Sequence, residues 1–240
     1  MIQDATNQYI STILSHCSLT GRDVLEIGCG KGRITRDLAR HAGRVVASDP
    51  DPALLDAARK NVADDRVEFR HAPQGIPAFP PASFDVVIYT LSLHHVPLEE
   101  MPASLTRAAG MLREDGAIVV VEPGDGGSFT EAKERFGAGS GDERPARAAA
   151  ICAMQNLEGW QMEETTLFRV QMHFDSEDDF FVTMLPDCRR QSESFLNEVR
   201  DFLHKHRTAG GIILDAGRRL DVLRRVDEIS KNQTKERELK

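Results

Sequence analysis

The sequence predicts an α/β protein built on a parallel sheet with helices on both faces. Three observations carry this. Short apolar runs alternate with stretches of helical period from residue 22 to residue 122. Runs such as Val86-Val87-Ile88 are apolar without alternation, the pattern of strands buried on both faces. The run "DVLEIG" stops at a glycine and "DGAIVVVEP" at a proline, residues that end strands.

Each element has its own signal. Residues 5–17 read as an amphipathic helix with Tyr9, Ile10, Ile13 and Leu14 on one side. "DVLEIG" is the first strand, and "RITRDLARHA" places Ile34, Leu38 and Ala42 at helical spacing. "RVVASD" is the second strand. "PALLDAARKNV" is a helix opened by a proline in its first turn. "RVEFR" and "SFDVVIYT" are the third and fourth strands. "LEEMPASLTRAAGMLR" is mostly helix, with Pro102 tolerable only near its start. "DGAIVVVEP" is the fifth strand, entered by an Asp-Gly turn.

The pattern changes after residue 122. "SFTEAKERF" predicts a short helix, and "GAGSGDERP" a flexible linker rich in glycine and charge. "ARAAAICAMQNL" is a small-residue helix. "WQMEETTLFRVQMHF" is extended with a kink, being rich in β-branched and aromatic residues. "SEDDFFVTML" and "SESFLNEVRDFLHKH" each start a helix with serine and acids. Residues 212–214 and 219–226 read as extended, and a charged tail occupies 228–240. One domain over 1–240 is expected, with 128–157 and 176–210 as helical caps on the substrate side.

Composition excludes several classes. The chain has 240 residues, 40% of them hydrophobic, and a net charge of −8. Nucleic-acid binding leaves a basic footprint, and only short pairs such as Arg189-Arg190, Arg218-Arg219 and Arg224-Arg225 occur. Cys17, Cys29, Cys152 and Cys188 form no C-x-x-C pair, so no structural metal is expected. Scattered thiols fit a reducing compartment. "MIQDATNQYISTILSHC" has neither the basic start nor the apolar run of a secretory leader, and no run is long enough to cross a membrane. A cytoplasmic protein without nucleic-acid or membrane partners is the expectation. Oligomeric state is left open.

Ligands of such sheets bind beyond the carboxyl ends of the strands. Glu26, Gly28, Cys29, Gly30 and Gly32 follow the first strand there, and Asp49 and Pro50 the second. His71-Ala72-Pro73-Gln74 follow the third, and Thr90, Leu91, Ser92, His94 and His95 the fourth. Glu122 and Asp125 follow the fifth. Glycines let a ligand lie against the backbone, and Asp49 stands where an acid takes ribose hydroxyls in nucleotide folds. Its alternative role is to cap the helix from Pro52, which Asp51 can also do. Dinucleotide sites use G-x-G-x-x-G. Here the spacing is G-C-G-K-G, with Glu26 two positions before the first glycine. An acid there repels a pyrophosphate and suits an amino group or a sulfonium.

The segments "VLEIGCGKGRIT", "VVASDPDP", "SFDVVIYTLSLHHV" and "MLREDGAIVVVE" resemble, in order and spacing, the successive motifs of class I S-adenosylmethionine (SAM) dependent methyltransferases. Their small-molecule branch, which includes quinone-biosynthesis enzymes, is the most similar. The resemblance covers residues 5–125 and is loose beyond. It implies a Rossmann-like, doubly wound, seven-stranded sheet, mostly parallel with an antiparallel last strand. It implies that Glu26, Gly28, Cys29 and Gly30 hold the methionine part of SAM. Asp49 would take the ribose and Pro50 would lie beside the adenine, with Ala72, Pro73 and Gln74 around it. Thr90 and Leu91 would meet the methionine end, and Tyr9 would close over the cofactor. The family often places an acid where this chain has Ala72, so Gln74, backbone carbonyls or shape must recognise the adenine. Tyr89-Thr90-Leu91-Ser92 departs from the D/N-P-P-aromatic motif of DNA amino-methyltransferases.

Methyl transfer from SAM needs in-line positioning, which supplies about 7–11 kcal/mol. A base is needed only for a protonated acceptor. His95, and after it His94, are the candidates, the alternative being that they structure their loop. Glu122 and Phe129 are candidate substrate residues; Glu122 alternatively caps a turn. His173 is read as structural. Phe129, Phe136, Phe180, Phe181 and Met184 either line an apolar pocket or form the cap's own core. Glycines in 137–142 suit a hinge. The expected reaction is transfer of a methyl group to a small molecule. A non-catalytic SAM-binding module and a NAD-linked oxidoreductase are the alternatives.

Overall fold

A computed structural model describes residues 1–4 and 6–226, apart from the Arg189 side chain. The charged tail expected at 228–240 lies outside the described residues. In chain order the elements are β1 (Ile2–Gln3), α1 (Gln8–His16), β2 (Asp23–Ile27), α2 (Arg33–Ala39), β3 (Arg44–Asp49), α3 (Pro52–Asn61), β4 (Val67–His71) and β5 (Phe84–Thr90). There follow α4 (Met101–Gly110), β6 (Leu112–Pro123), α5 (Ser128–Phe136), α6 (Arg144–Gln155), β7 (Trp160–Met162) and β8 (Thr166–Phe174). The last are α7 (Glu177–Met184), α8 (Glu193–His204), β9 (Arg207–Thr208) and β10 (Gly211–Arg225). To the seven expected strands the structure adds three short ones, β1, β7 and β9.

The chain divides into two compact units. The sheet unit comprises 10–122, 146–166 and 219–226 of the described residues. The other comprises 1–9, 123–145 and 167–218.

In the sheet unit the strand order is β10-β6-β5-β2-β3-β4. β2 pairs in parallel with β3 and with β5, β3 with β4, and β5 with β6. The path steps outward from β2 to β4, then returns to the other side of β2 for β5. Parallel crossovers are right-handed, so α2 and α3 fall on one face and α4 on the other. The reversal between β2 and β5 is the topological switch point, where such sheets bind ligands. Register follows the period of two. Leu25, Ile27, Val87, Tyr89, Ile118 and Val120 share one buried cluster with Leu105 and Ala108 of α4 and Ala150 and Met154 of α6. α6, which lies in the segment 128–157 expected as a cap, thus packs on the sheet through Ala150, Ala153 and Met154. Val24 and Glu26 point to the opposite face.

Local chemistry explains the boundaries. Asp51 caps α3 by accepting the Ala53 N–H at 2.8 Å, with Pro52 in the first turn. β6 starts earlier than the Asp-Gly turn suggests. Phe84 pairs with Leu112 but Val86 with Ala117, so the residues between bulge out of the ladder. Gly32, at φ +81°, opens α2 against α3; a Cβ there would stand 2.9 Å from Val62 Cγ2 and 3.2 Å from Ala58 Cβ.

In the other unit β1 pairs antiparallel with β8, β8 neighbours β10, and β9 forms a hairpin with β10. α1 begins at Gln8 rather than residue 5. Asp4, at φ +58°, accepts the N–H groups of Gln8 and Tyr9 at 2.8 and 2.9 Å and so sets the start. Ser176 and Ser192 cap α7 and α8 as their sequence signals require. Phe136 meets Phe195 and Phe202 edge-on at 5.9 and 5.4 Å, and Phe174 meets Phe180 at 5.1 Å. Phe129, Phe136, Phe180, Phe181 and Met184 are all buried, so they form this unit's own core. The glycine-rich linker is tied down at Gly139, whose N–H donates to the Met184 carbonyl at 2.7 Å, and by the Lys133–Glu143 ion pair at 2.6 Å.

Gly32→Ala combines left-handed strain with overpacking and is expected to cost about 2–4 kcal/mol. Gly30→Ala, with no atom within 4 Å of the added carbon, is expected to cost about 1 kcal/mol. Urea unfolding of the two variants measures the difference.

Candidate functional site

A cavity of about 850 Å³ opens at the switch point of the sheet unit. That size suits a nucleoside-sized ligand. Its walls come from the strand ends: Gly28 and Gly30 after β2, Asp49 and Pro50 at β3, Pro73 and Gln74 after β4, and Leu91, Ser92 and His95 after β5.

The glycine loop is held by its own hydrogen bonds. The Ser48 carbonyl accepts the N–H groups of Gly28 at 2.8 Å and Cys29 at 2.9 Å. The Gly30 N–H donates to Asp49 Oδ2 at 2.8 Å, and the Gly32 N–H to the Cys29 carbonyl at 3.0 Å. A phosphate cradle needs backbone N–H groups turned toward the ligand. Four of this loop's are committed inward. Gly28, at φ +77°, meets the β5 loop so closely that a Cβ would lie 2.4 Å from Ser92 Cβ. Ser92 Oγ in turn donates to the Ile27 carbonyl at 2.6 Å. The two loops of the switch point are thereby locked together.

Asp49 is 5% exposed and lines the cavity. Its Oδ1 accepts the Asp51 N–H at 2.9 Å and its Oδ2 that of Gly30. Each oxygen keeps a further lone pair for a donor in the cavity. Capping α3 falls to Asp51, which leaves Asp49 for a ligand. Ala72 is buried; its N–H donates to the Asp49 carbonyl at 3.0 Å and its carbonyl accepts from Gly75 at 2.8 Å. Of the three residues expected around an adenine, Pro73 and Gln74 reach the cavity.

Glu26 is 1% exposed and points toward α2, where Thr35 Oγ1 donates to its Oε2 at 2.5 Å. Burial pushes its pKa up to about 7, against the lowering effects of the Thr35 hydrogen bond and of Arg33; Asp49 and Asp37 add to the rise. Cys29 is buried in the loop, its thiol raised by burial and by the Glu26 and Asp49 carboxylates, so this thiol is no nucleophile.

The β5 end is shaped by strain and by one acid. Leu91 sits at φ +56°, its N–H donating to the Val121 carbonyl at 2.7 Å. Thr90 Oγ1 is buried and has no hydrogen-bond partner among the described residues. The two histidines divide. His94 is buried, its Nδ1 2.5 Å from Glu122 Oε2, and Glu122 Oε1 accepts the Leu93 N–H at 3.2 Å. His95 is exposed on the cavity wall, with ring centroids 4.0 Å from His94. Glu122, itself 1% exposed, builds the turn that carries His95.

The sequence reading missed Glu100, Ser104 and Arg107, which also line the cavity. Their spacing of four and three puts them on one helix face, and that is the signal they offered. Tyr9 and Phe129 belong to the other unit. Tyr9 is fully buried, its hydroxyl accepting from Arg218 Nε at 2.6 Å and Gln3 Nε2 at 3.2 Å. His173 is half-buried on β8 beside Gln171. No described helix is long and apolar enough to cross a membrane.

Residues 24–116 match the family model described as a methyltransferase domain. An uncharacterized methyltransferase of Mycobacterium tuberculosis is 34% identical over 98 residues, 41% of this chain and 49% of that protein. A ubiquinone biosynthesis O-methyltransferase of Nitrosococcus oceani is 31% identical over 121 residues, 49% of this chain and 50% of that one. The chain thus spans about half the length of the curated relatives it matches. Among solved structures, a candidate type II methyltransferase of Anaeromyxobacter dehalogenans aligns with a TM-score of 0.61 at 19% identity, covering 94% of this chain and 98% of that one. The YcgJ protein of Bacillus subtilis aligns at 0.58 and 16% identity, covering 90% and 96%. These likenesses show the shared fold. Residues 24–116 thus resemble a methyltransferase domain, and they lie on a strand order of the Rossmann-like kind.

Proposed function

We propose that this protein transfers a methyl group from SAM to a small-molecule acceptor. The observation that carries the reading is the glycine loop, whose N–H groups are turned inward while Asp49 faces the cavity. Such a site offers a carboxylate to ribose hydroxyls, while four loop N–H groups that a pyrophosphate would use are already taken, which disfavours NAD.

Asp49 holds the ribose edge through its remaining lone pairs. Pro50, Leu54 and Pro73 supply apolar walls to the adenine, and the Gln74 amide offers a donor and an acceptor to its edge, the task left open by Ala72. Gly28 and Gly30 let the methionine part lie on the backbone, with Leu91 facing it. Glu26, under the loop, favours a cationic neighbour. SAM supplies an activated methyl group on a sulfonium. The chain's work is then to orient the acceptor and exclude water, and, for an acceptor that carries a proton, to remove it. His95 Nδ1 or Nε2 takes that proton. His94 and Glu122 are positioning residues that fix the His95 turn.

Labelled SAM incubated with pools of small molecules tests the reaction; transfer to at least one acceptor is expected, and binding without transfer in any pool points to a non-catalytic module. Asp49→Ala is expected to weaken SAM binding at least tenfold, since a hydrogen bond to a charged group contributes about 1.5–3 kcal/mol. Far-UV circular dichroism checks that its fold persists. Unchanged affinity refutes the ribose role.

Glu26 makes a pH prediction. Its folded pKa of about 7 lies above the usual 4.5, so the folded state holds a proton that the unfolded chain releases. Its contribution is harmless below pH 4.5 and turns destabilising as pH rises from 4.5 through 7. Glu26→Gln removes that penalty. The variant's advantage over the wild-type protein is expected to grow from near zero at pH 4.5 to as much as about 3 kcal/mol at pH 8. Urea unfolding without ligand across that range measures it.

A further inference from the structure

The cavity of the sheet unit has a wall with no part in the chemistry derived above. Glu100, Ser104 and Arg107 line it from α4, in the same unit as Asp49 and the glycine loop. Residues four apart stand on one helix face, with about 5–6 Å between their Cβ atoms. Glu100 opens α4 with φ −95° and ψ −15°, yet its side chain makes no capping hydrogen bond. Among the described residues no cation pairs with its carboxylate.

Ser104 decides what this wall offers. It is 3% exposed, and its Oγ stands 2.9 Å from Tyr89 Oη. Two hydroxyl protons meet at this pair, and one alone can lie between the oxygens. The other needs an acceptor elsewhere. Tyr89 is fully buried in the apolar cluster that holds Leu93, Leu105 and Ala108. Among the described residues its hydroxyl has no hydrogen-bond partner except Ser104. Burial pushes its pKa up, against the Ser104 hydrogen bond and the charge of Arg107, so the phenol keeps its proton. A buried donor without an acceptor is costly. The phenol therefore donates to Ser104 Oγ, and the serine proton turns to the cavity that Ser104 lines. A serine without such a neighbour serves as donor or acceptor; Tyr89 makes Ser104 a donor.

α4 thus presents a carboxylate acceptor and a hydroxyl donor one turn apart. Leu91, Val96 and Pro97 add apolar surface for a flat ring. The complement of this pair is an exocyclic amine beside an unprotonated ring nitrogen. Adenine carries that edge. Hypoxanthine carries the reverse, a carbonyl beside a ring N–H.

We propose that Glu100 and the Tyr89–Ser104 pair select the base of the cofactor: Glu100 accepts from the adenine amine and Ser104 donates to the neighbouring ring nitrogen. The choice of adenine as the heterocycle rests on the SAM reading. The amine has two N–H bonds, so the Gln74 amide takes one while Glu100 takes the other.

Calorimetry with S-adenosylhomocysteine, S-inosylhomocysteine, adenosine and inosine tests this on wild-type protein, Glu100→Gln and the double variant Tyr89→Phe/Ser104→Ala. The double variant removes both hydroxyls and strands no buried donor, so its fold is expected to persist; its melting temperature checks this. Wild-type protein is expected to prefer the adenine compound of a pair at least tenfold. Glu100→Gln gains an amide N–H for a carbonyl, and its preference is expected to fall below threefold. The double variant is expected to lose about two- to tenfold in affinity for S-adenosylhomocysteine, the worth of one hydrogen bond. Residues with a structural role alone would change the melting temperature and leave the base preference as in wild type. If the double variant does not fold, the preference of Glu100→Gln decides. The preference is read in whichever pair binds. The proposal is overturned if wild-type protein binds both bases alike, if Glu100→Gln keeps the full preference, if a folded double variant binds S-adenosylhomocysteine like wild type, or if none of the four compounds binds. A preference for adenosine over inosine without binding of S-adenosylhomocysteine counts against the SAM reading alone.

Discussion

The carbonyl of Ser48 is the interaction on which the site depends. It accepts the N–H groups of Gly28 and Cys29 together, and the next residue, Asp49, takes that of Gly30. Two parallel strands are thereby joined at their carboxyl ends as well as along their ladder. The loop turns four of its donors away from the cavity, onto Ser48, Asp49 and Cys29. Gly28 then has to pass against Ser92, and only a residue without a side chain can do so. The loop ends of β2, β3 and β5 are consequently one rigid piece, with its geometry set before any ligand arrives.

That rigidity lets the unit carry unfavourable chemistry. Glu26 is held in a place that opposes its ionisation, and Thr35 is its partner. Leu91 is held at a positive φ by the Val121 carbonyl. Strain and a buried acid are concentrated at the switch point, where binding energy from a ligand can relieve them. The pairing of His94 with Glu122 belongs to the same economy of roles: one histidine is structural so that its neighbour can face the cavity.

Much of this was legible in the residues. Unbroken apolar strands and the order of their motifs give the parallel sheet, and a strand end followed by an acid gives Asp49. The order "LHH" does not say which histidine faces inward, because that depends on Glu122, 27 residues beyond His95. Glu100, Ser104 and Arg107 lacked any motif and became visible only when α4 was placed. β1 and β9, two residues each, exist only through their partners and have no pattern of their own. The start of α1 rests on Asp4 in a left-handed conformation that the sequence does not announce. Arg218 and Arg219 looked like a basic pair on the surface. Neighbours on a strand point to opposite faces, so Arg219 reaches Asp221 at 2.7 Å while Arg218 is buried.

The inward-turned glycine loop makes the sharpest demand on experiment. Calorimetric titration of the protein with SAM and, separately, with NAD tests it directly. The account predicts a saturable heat with SAM and none with NAD. Binding of NAD without binding of SAM would contradict it.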